Sequence, residues 1–375
     1  MRYREYGKTG EKISIISFGG MRFPNVADED GMAQLALHAF QRGVNYFDTA
    51  PGYCKDKSEI IVGKAVMEMK KRGEKFFVST KSGEDDGDKL REQLERSLKR
   101  LHVDAVDFFH CWCVVSLADW EERKSGGAVA AIRKACDEGL IRHPCISTHL
   151  AGEDIAKVLA EGFFDGILLG YSAVNFPYRV TGIEAAKNLG LGVMIMNPLG
   201  GGLIPKHPEQ FAFIQRPGDP SLVASALRFV LSTPGVTSAL IGCDSLQHID
   251  EAVALADSFQ PLNASAMEEI KAGVKKEFDN LCTLCRYCDV CGEKIPVYKY
   301  MSAYNYLAIE NSPKAMSSQL KWHWGLDNPL AELANCTQCG RCAEECTQHL
   351  PILERFREMT KILEAEKVMA KAKSG

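Results

Sequence analysis

Phe76-Phe77-Val78-Ser79-Thr80-Lys81, then Leu90-Arg91-Glu92-Gln93-Leu94-Glu95-Arg96-Ser97-Leu98-Lys99-Arg100-Leu101, then Ala105-Val106-Asp107-Phe108-Phe109-His110 is the stretch that decides the fold. The outer segments are short aromatic and β-branched runs, each closing on a polar residue. The middle one separates Leu94, Leu98 and Leu101 from Glu92 and Arg96, as an amphipathic helix does. Strand, helix and strand in succession predict two parallel strands joined by a helical crossover. Working outward, the unit recurs. Strand candidates are Ile13 to Phe18, Asn45 to Thr49, Phe76 to Lys81, Ala105 to His110, Pro144 to Thr148, Gly166 to Tyr171, Gly192 to Asn197 and Ser238 to Gly242. Most are apolar throughout, as parallel strands buried on both faces are. Asp30 before Met32, Leu35, Ala36 and Phe40, with Gly43 after them, gives one helix its start and stop signals.

Eight such pairs predict an α/β fold, a closed (β/α)8 TIM barrel. An open doubly wound sheet would want a GxGxxG turn after an early strand, and the sequence has none. Gly7 and Gly10 predict a small hairpin under the barrel floor. After Pro261 the alternation stops. We expect a barrel over 1–274 and a small, mainly helical domain over 275–375, ending in a helix from about residue 354.

The chain has 375 residues, within reach of a barrel of about 250 plus a second unit. Lys and Arg number 45 against 49 Asp and Glu, a formal charge of −4, so no basic excess points to nucleic acid. No apolar run approaches the roughly 20 residues of a membrane span, and Met1-Arg2-Tyr3-Arg4-Glu5 does not open a signal peptide. A cytoplasmic protein without a membrane partner is the expectation.

In this fold chemistry sits at the C-terminal ends of the strands. Asp48, Tyr53, Lys81 and His110 fall at or just beyond three successive strand ends. A free phenol, with pKa near 10, is a poor acid at neutral pH, and a nearby ammonium lowers that value. Lys81 would tune Tyr53, Asp48 would hold Lys81, and His110 would bind the substrate oxygen. Taken singly, these residues read equally well as a loop cap, a wall aromatic, a solvated strand end and a core histidine.

The sequence resembles the aldo/keto reductase family in Phe47-Asp48-Thr49-Ala50-Pro51-Gly52-Tyr53, Ser58-Glu59, Ser79-Thr80-Lys81 and Asp107-Phe108-Phe109-His110. Gly19-Gly20-Met21-Arg22, Gly139-Leu140-Ile141-Arg142 and Ser147-Thr148-His149 extend the likeness. The resemblance implies NADPH- or NADH-dependent reduction of a small-molecule carbonyl, with Tyr53, Lys81, Asp48 and His110 as catalytic residues. It also implies that Gly20, Met21, Arg22, Asp48, Ser147, Thr148, Tyr171, Leu199, Gly200, Gly201, Gly242, Asp244 and Glu251 bind the dinucleotide. Gly200 to Gly202 would admit a phosphate, the helix near Ser245 would offer it N–H groups, and Tyr171 would stack on nicotinamide. Thr148, Leu168 and Ala252 depart from the family's usual Asn, Gln and Asn. Asp244 stands where many members carry a cation for the 2′-phosphate, which tilts the choice toward NADH.

Fourteen cysteines set the chain apart, and eight fall in two runs: Cys282-x2-Cys285-x2-Cys288-x2-Cys291 and Cys336-x2-Cys339-x2-Cys342-x3-Cys346. Such runs are the spacing of two-cluster ferredoxins, so two [4Fe–4S] clusters and a ferredoxin-like iron–sulfur domain are expected. A zinc site generally separates two CxxC pairs by a longer spacer. The second run matches the ferredoxin spacing but ends in Thr347 instead of Pro, and the first has x2 where x3 is usual. The clusters are read as structural or as a relay to the barrel involving a redox partner protein, in which case nicotinamide use is weak or lost. Cys54, Cys111, Cys113, Cys136, Cys145 and Cys243 read as small buried hydrophobes. Tyr298, Tyr300, Tyr304, Tyr306, Trp322 and Trp324 read as packing around the clusters.

Overall fold

The structure is a computed structural model that describes residues 1–150, 152–174, 179–274, 280–283 and 285–374. Strands β1 (Tyr3–Glu5) and β2 (Lys12–Ser14) pair antiparallel, with Arg4 opposite Ile13. This is the expected hairpin. The run from Ile13 to Phe18 is therefore two elements: Ile13 ends in the hairpin, and the barrel begins at β3 (Ile16–Gly19). Between them the Ser14 hydroxyl donates to the Ile16 carbonyl at 2.7 Å, and Ile15 N–H donates to Arg2.

The remaining strands are β4 (Tyr46–Asp48), β5 (Phe77–Ser82), β6 (Val106–Val114), β7 (Ile141–Thr148), β8 (Gly166–Gly170), β9 (Gly192–Met196) and β10 (Ser238–Ile241). They close in the order β10-β3-β4-β5-β6-β7-β8-β9, all parallel. Every strand read from the sequence is present, and each is shared between two packed layers. Outward side chains such as Ile16, Phe47, Val78 and Phe109 meet the helices. Inward ones, Tyr46, Phe77, Phe108, Cys145, Leu168 and Met194, fill the barrel with Tyr6 and Ile13 from the hairpin. Tyr6 plugs the floor, its ring centroid 4.6 Å from that of Phe108. Gly166 and Gly192 leave room for it: a Cβ at either would lie 2.1–2.2 Å from Tyr6 atoms.

β6 runs past its expected end at His110 to Val114, with a shift in register between Cys111 and Val114. Cys113 sits there at a φ of 59°. Such a bulge re-aims side chains at a barrel rim, and here it presents Trp112 and Cys113 to the mouth.

From residue 280 onward the described residues form helices around a second core, including Val297, Tyr300, Met301, Leu320, Ile352, Phe356 and Met359. The longest are Val297–Glu310 and Ile352–Ser374. The boundary expected at Lys275 lies outside the described residues. Tyr298 and Trp324 pack edge to face, whereas Trp322 is 77% exposed, with the Lys321 ammonium 4.8 Å from its ring centroid, and is not part of the second core. Among the described residues no helix is long and apolar enough to cross a membrane.

Candidate active site

Asp48 ends β4 and Lys81 lies next to the end of β5, with their side chains 4% and 1% exposed. Lys81 Nζ donates to Asp48 Oδ1 at 2.5 Å and to the Thr49 carbonyl at 2.9 Å, and Ser79 Oγ donates to the same carboxylate oxygen at 2.8 Å. The pair is dry and satisfied, the condition under which buried opposite charges are tolerated. Burial lowers the Lys81 pKa, against the upward pull of Asp48.

His110 is fully buried on β6, its Nε2 3.4 Å from the Tyr46 hydroxyl. Burial, then the Lys81 charge, hold it well below its ordinary value, so the ring is neutral at working pH. His149, after β7, is held low likewise by burial, Arg179 and His349. The unfolded chain protonates both near pH 6.5 while the folded chain does not, so stability is full above that pH and lost as pH falls below it. Urea midpoints falling from about pH 7 to pH 5, and falling less in a His149→Gln variant, are the expected result.

Tyr53 follows Gly52, whose φ is 78°, and Cys54, Lys55 and Asp56 are also left-handed. The Cys54 thiol anchors this turn, 3.3 Å from the Met21 carbonyl and 3.3 Å from Phe23 N–H. Ser58 adds a bond to the Gly20 carbonyl at 2.7 Å. Gly20 and Met21 thus serve to position the tyrosine loop. The Tyr53 ring lies 5.4 Å from Lys81 Nζ and 5.4 Å from the Trp112 ring, to which it stands edge-on. All four expected catalytic residues meet at the mouth.

Their coupling differs from expectation in one respect. Lys81 donates to Asp48 and Thr49, and the phenol is pushed well above its ordinary value by burial first, then by Asp48 and the Cys113 and Cys54 thiols. With Lys81 turned to Asp48 and Thr49, burial and the Asp48 charge dominate at the phenol.

The expected dinucleotide residues divide. Gly242, Asp244 and Glu251 stand exposed on the rim after β10. Asp244 is paired with His248 at 2.6 Å, and Glu251 accepts from Gln247 at 2.8 Å. Ser245 caps the helix Leu246–Ser258. Ser147 and Thr148 are buried at the end of β7, and the Thr148 hydroxyl is used by Val114 and Leu150. Tyr171 is 1% exposed, stacked on Phe229 at 5.9 Å and bonded to Thr233 at 3.1 Å, so it offers no open face for stacking. Leu199, Gly200 and Gly201 form the turn after β9, and a Cβ on Gly201 would meet the Thr283 carbonyl oxygen at 2.5 Å. Arg22 spans the same seam, donating to Thr283 at 3.2 Å and to Gly201 at 3.5 Å. The first cysteine run therefore sits on the turn that was expected to receive a phosphate.

That packing extends across the mouth. Tyr287, between Cys285 and Cys288, lies edge-on to Trp112 at 6.5 Å and to His149 at 5.6 Å, and its hydroxyl is hydrogen-bonded to Cys113. Buried Arg179 donates to Gly170 on β8 at 2.6 Å and to Thr347 at 3.1 Å. Trp112, Thr283, Tyr287 and Arg179 were absent from the sequence reading. Only the aromatic residues among the cysteines hinted at them.

The cysteines sort across the two runs. Cys282, Cys285 and Cys346 are the thiols whose charges act on Cys288, whereas Cys336, Cys291 and Cys339 act on Cys342. The second set, with Cys342 itself, lines one shallow cleft together with Arg341, Leu353 and Phe356. Cys282, Cys288 and Cys346 are buried, and Cys339 is exposed. Among the described residues no three His, Cys, Asp or Glu side chains are close enough to hold one metal ion.

The sequence model of the aldo/keto reductase family matches residues 15–275, and the chain belongs to that family and is an oxidoreductase enzyme. Family membership supports NAD(P)H as its cofactor. L-galactose dehydrogenase of Arabidopsis thaliana is 27% identical over 305 residues, covering 72% of this chain and 93% of the plant protein. The oxidoreductase YrpG of Bacillus subtilis is 27% identical over 300 residues, covering 68% of this chain and 90% of its own. In fold, the chain is similar to the holo form of aldo-keto reductase AKR11C1 from Bacillus halodurans. That likeness has a TM-score of 0.64 at 21% identity, over 74% of this chain and 99% of the other. The family match ends before the first of the eight clustered cysteines.

Proposed function

We propose that the barrel reduces a small aldehyde or ketone to the alcohol, with Tyr53 as the general acid. The observation that carries this is the convergence of Tyr53, the Lys81–Asp48 pair and neutral His110 at one end of the barrel. His110 donates a hydrogen bond to the carbonyl oxygen and polarises it. Tyr53 delivers the proton to that oxygen as negative charge builds there. The Lys81–Asp48 pair lies beneath the phenol ring and holds it in place for that transfer. NAD(P)H would supply hydride when bound, and Gly20 to Arg22, Ser147, Thr148, Leu199 to Gly201, Gly242, Asp244 and Glu251 are the residues that would hold it, without a stack on Tyr171.

The two cysteine sets hold two [4Fe–4S] clusters in this reading, one on Cys282, Cys285, Cys288 and Cys346 and the other on Cys291, Cys336, Cys339 and Cys342. Each run lends its last cysteine to the other set, as in bacterial ferredoxins. A cubane spreads four thiolates over four irons, so its ligands need not crowd one point. A second functional reading has the clusters relay electrons to the barrel, with nicotinamide use weak or lost. The packing of Thr283 on Gly201 favours it.

Anaerobic purification followed by metal analysis is expected to give about eight iron and eight sulfide per chain. Titration with NADPH and NADH in the presence of an aldehyde panel separates the two functional readings. Nucleotide oxidation that tracks alcohol formation supports the first, and binding of neither nucleotide supports the second. Carbonyl turnover undiminished in a Tyr53→Phe variant would sink both.

A further inference from the structure

We propose that Tyr287, carried by the second unit, is a specificity-determining residue of the barrel site: it closes the mouth near Tyr53 so that carbonyls with slender, unbranched substituents reach the acid and branched ones do not. This deepens the first reading above and rests on it.

The ring stands where such a filter is needed. Tyr287 lies edge-on to Trp112 at 6.5 Å, and Trp112 in turn meets the Tyr53 ring at 5.4 Å, so two ring contacts join it to the proposed acid. Its other ring neighbour is His149, which follows β7, at 5.6 Å. Tyr287 thus spans the rims of β6 and β7 just beyond His110. A carbonyl held by Tyr53 and His110 has its substituent facing a wall of Trp112, Tyr287 and His149. Among the described residues Tyr287 belongs to no hydrophobic core, and both rings it meets are on the barrel. The second unit therefore supplies this side chain to the mouth and not to its own packing.

The wall is also held firmly, without which it could not discriminate by size. Asn305, 1% exposed, grips the start of the loop twice, accepting from Cys282 N–H at 2.8 Å and donating to the Cys282 carbonyl at 2.8 Å. Thr283 seats on Gly201 and Arg22, and His349 Nε2 lies 3.3 Å from the His149 carbonyl. Immediately before the tyrosine, Arg286 is left-handed at a φ of 69°, with its guanidinium 4.5 Å from the Tyr298 ring centroid. A side chain in that region is strained and persists only where its surroundings over-determine it. Fixed apolar walls meet extra volume with overpacking, and one methylene in such a pocket changes kcat/KM by about 10–200-fold.

The test measures kcat/KM of the whole chain for propanal, 2-methylpropanal and 2,2-dimethylpropanal, with NADPH and with NADH. We expect wild type to favour propanal over the most branched aldehyde by about tenfold or more. Tyr287→Phe keeps the ring and should keep that ratio. Tyr287→Ala should lower the ratio by about tenfold, and Tyr287→Trp, which adds volume, should raise it. A merely structural role would lower all three rates together and leave the ratio unmoved. A ratio that is the same in every variant overturns the proposal and leaves the reduction reading standing. If Tyr287→Ala does not fold, an unchanged ratio in Tyr287→Trp is enough to overturn it. Wild type that reduces none of the three with either nucleotide overturns the first reading and the proposal with it.

Discussion

Asp48→Asn is expected to destabilise the fold by about 3–5 kcal/mol, the usual effect of stripping one partner from a buried ion pair. Lys81 is 1% exposed, and among the described residues its hydrogen-bond acceptors are Asp48 and the Thr49 carbonyl, so the lost carboxylate leaves a buried charge poorly compensated. The pH dependence identifies the cause. Burial already lowers the Lys81 pKa, and Asp48 is the largest influence opposing that shift. Without it the folded chain releases the Lys81 proton earlier than the unfolded chain, which holds it to about pH 10.4. The unfolded state then binds more protons in that interval, so the stability of the variant rises with pH. Urea unfolding at neutral and alkaline pH reads the slope directly, and Lys81→Met added to Asp48→Asn should recover part of the loss. A variant as stable as wild type, or one with no such slope, would show that the pair is not the closed unit described.

Tyr53→Phe is expected to lower kcat by about 10²–10⁴-fold, the range for loss of a positioned general acid, with KM little changed. The ring keeps its contacts with Trp112 and its place above Lys81, so only the proton is removed. Because burial, Asp48 and the two thiols raise the phenol pKa, Tyr53 stays protonated throughout the neutral range. The rate of carbonyl reduction should consequently show no alkaline decline from this group below about pH 10. A decline centred near pH 8 would mean that Lys81 does acidify Tyr53, as its sequence position had suggested.

The barrel was legible because parallel buried strands leave a local mark, an apolar run flanked by helix caps, and eight marks in order admit few topologies. The same locality explains the errors. Ile13 to Phe18 is one apolar run, yet Ser14 turns the chain between Ile13 and Ile16, and a run of hydrophobicity does not record a change of direction. The apolar pattern places the fourth strand at Ala105 to His110. The bulge that carries the strand on to Val114 has no signature beyond the continuing run Cys111-Trp112-Cys113-Val114-Val115.

In the site, residue identity was readable and residue coupling was not. Asp48, Tyr53, Lys81 and His110 follow from strand ends, but whether Lys81 turns to the phenol or to Asp48 and Thr49 is settled by contacts across the mouth. Tyr171 is similar: its place after β8 suits a nicotinamide stack, and Phe229, on the helix Leu222–Ser232, takes up its face.

What the amino-acid order determined by itself was the inventory: eight parallel strands, four polar groups at one rim, and eight thiols in two runs. These rest on interactions among neighbours along the chain, where period and spacing are visible. Tertiary structure alone decided that Thr283 rests on Gly201, that Tyr287 reaches Trp112, and that Cys291 and Cys346 each face the opposite run. Those contacts join residues tens to hundreds of positions apart, and only the packing of the second core against the barrel mouth brings them together.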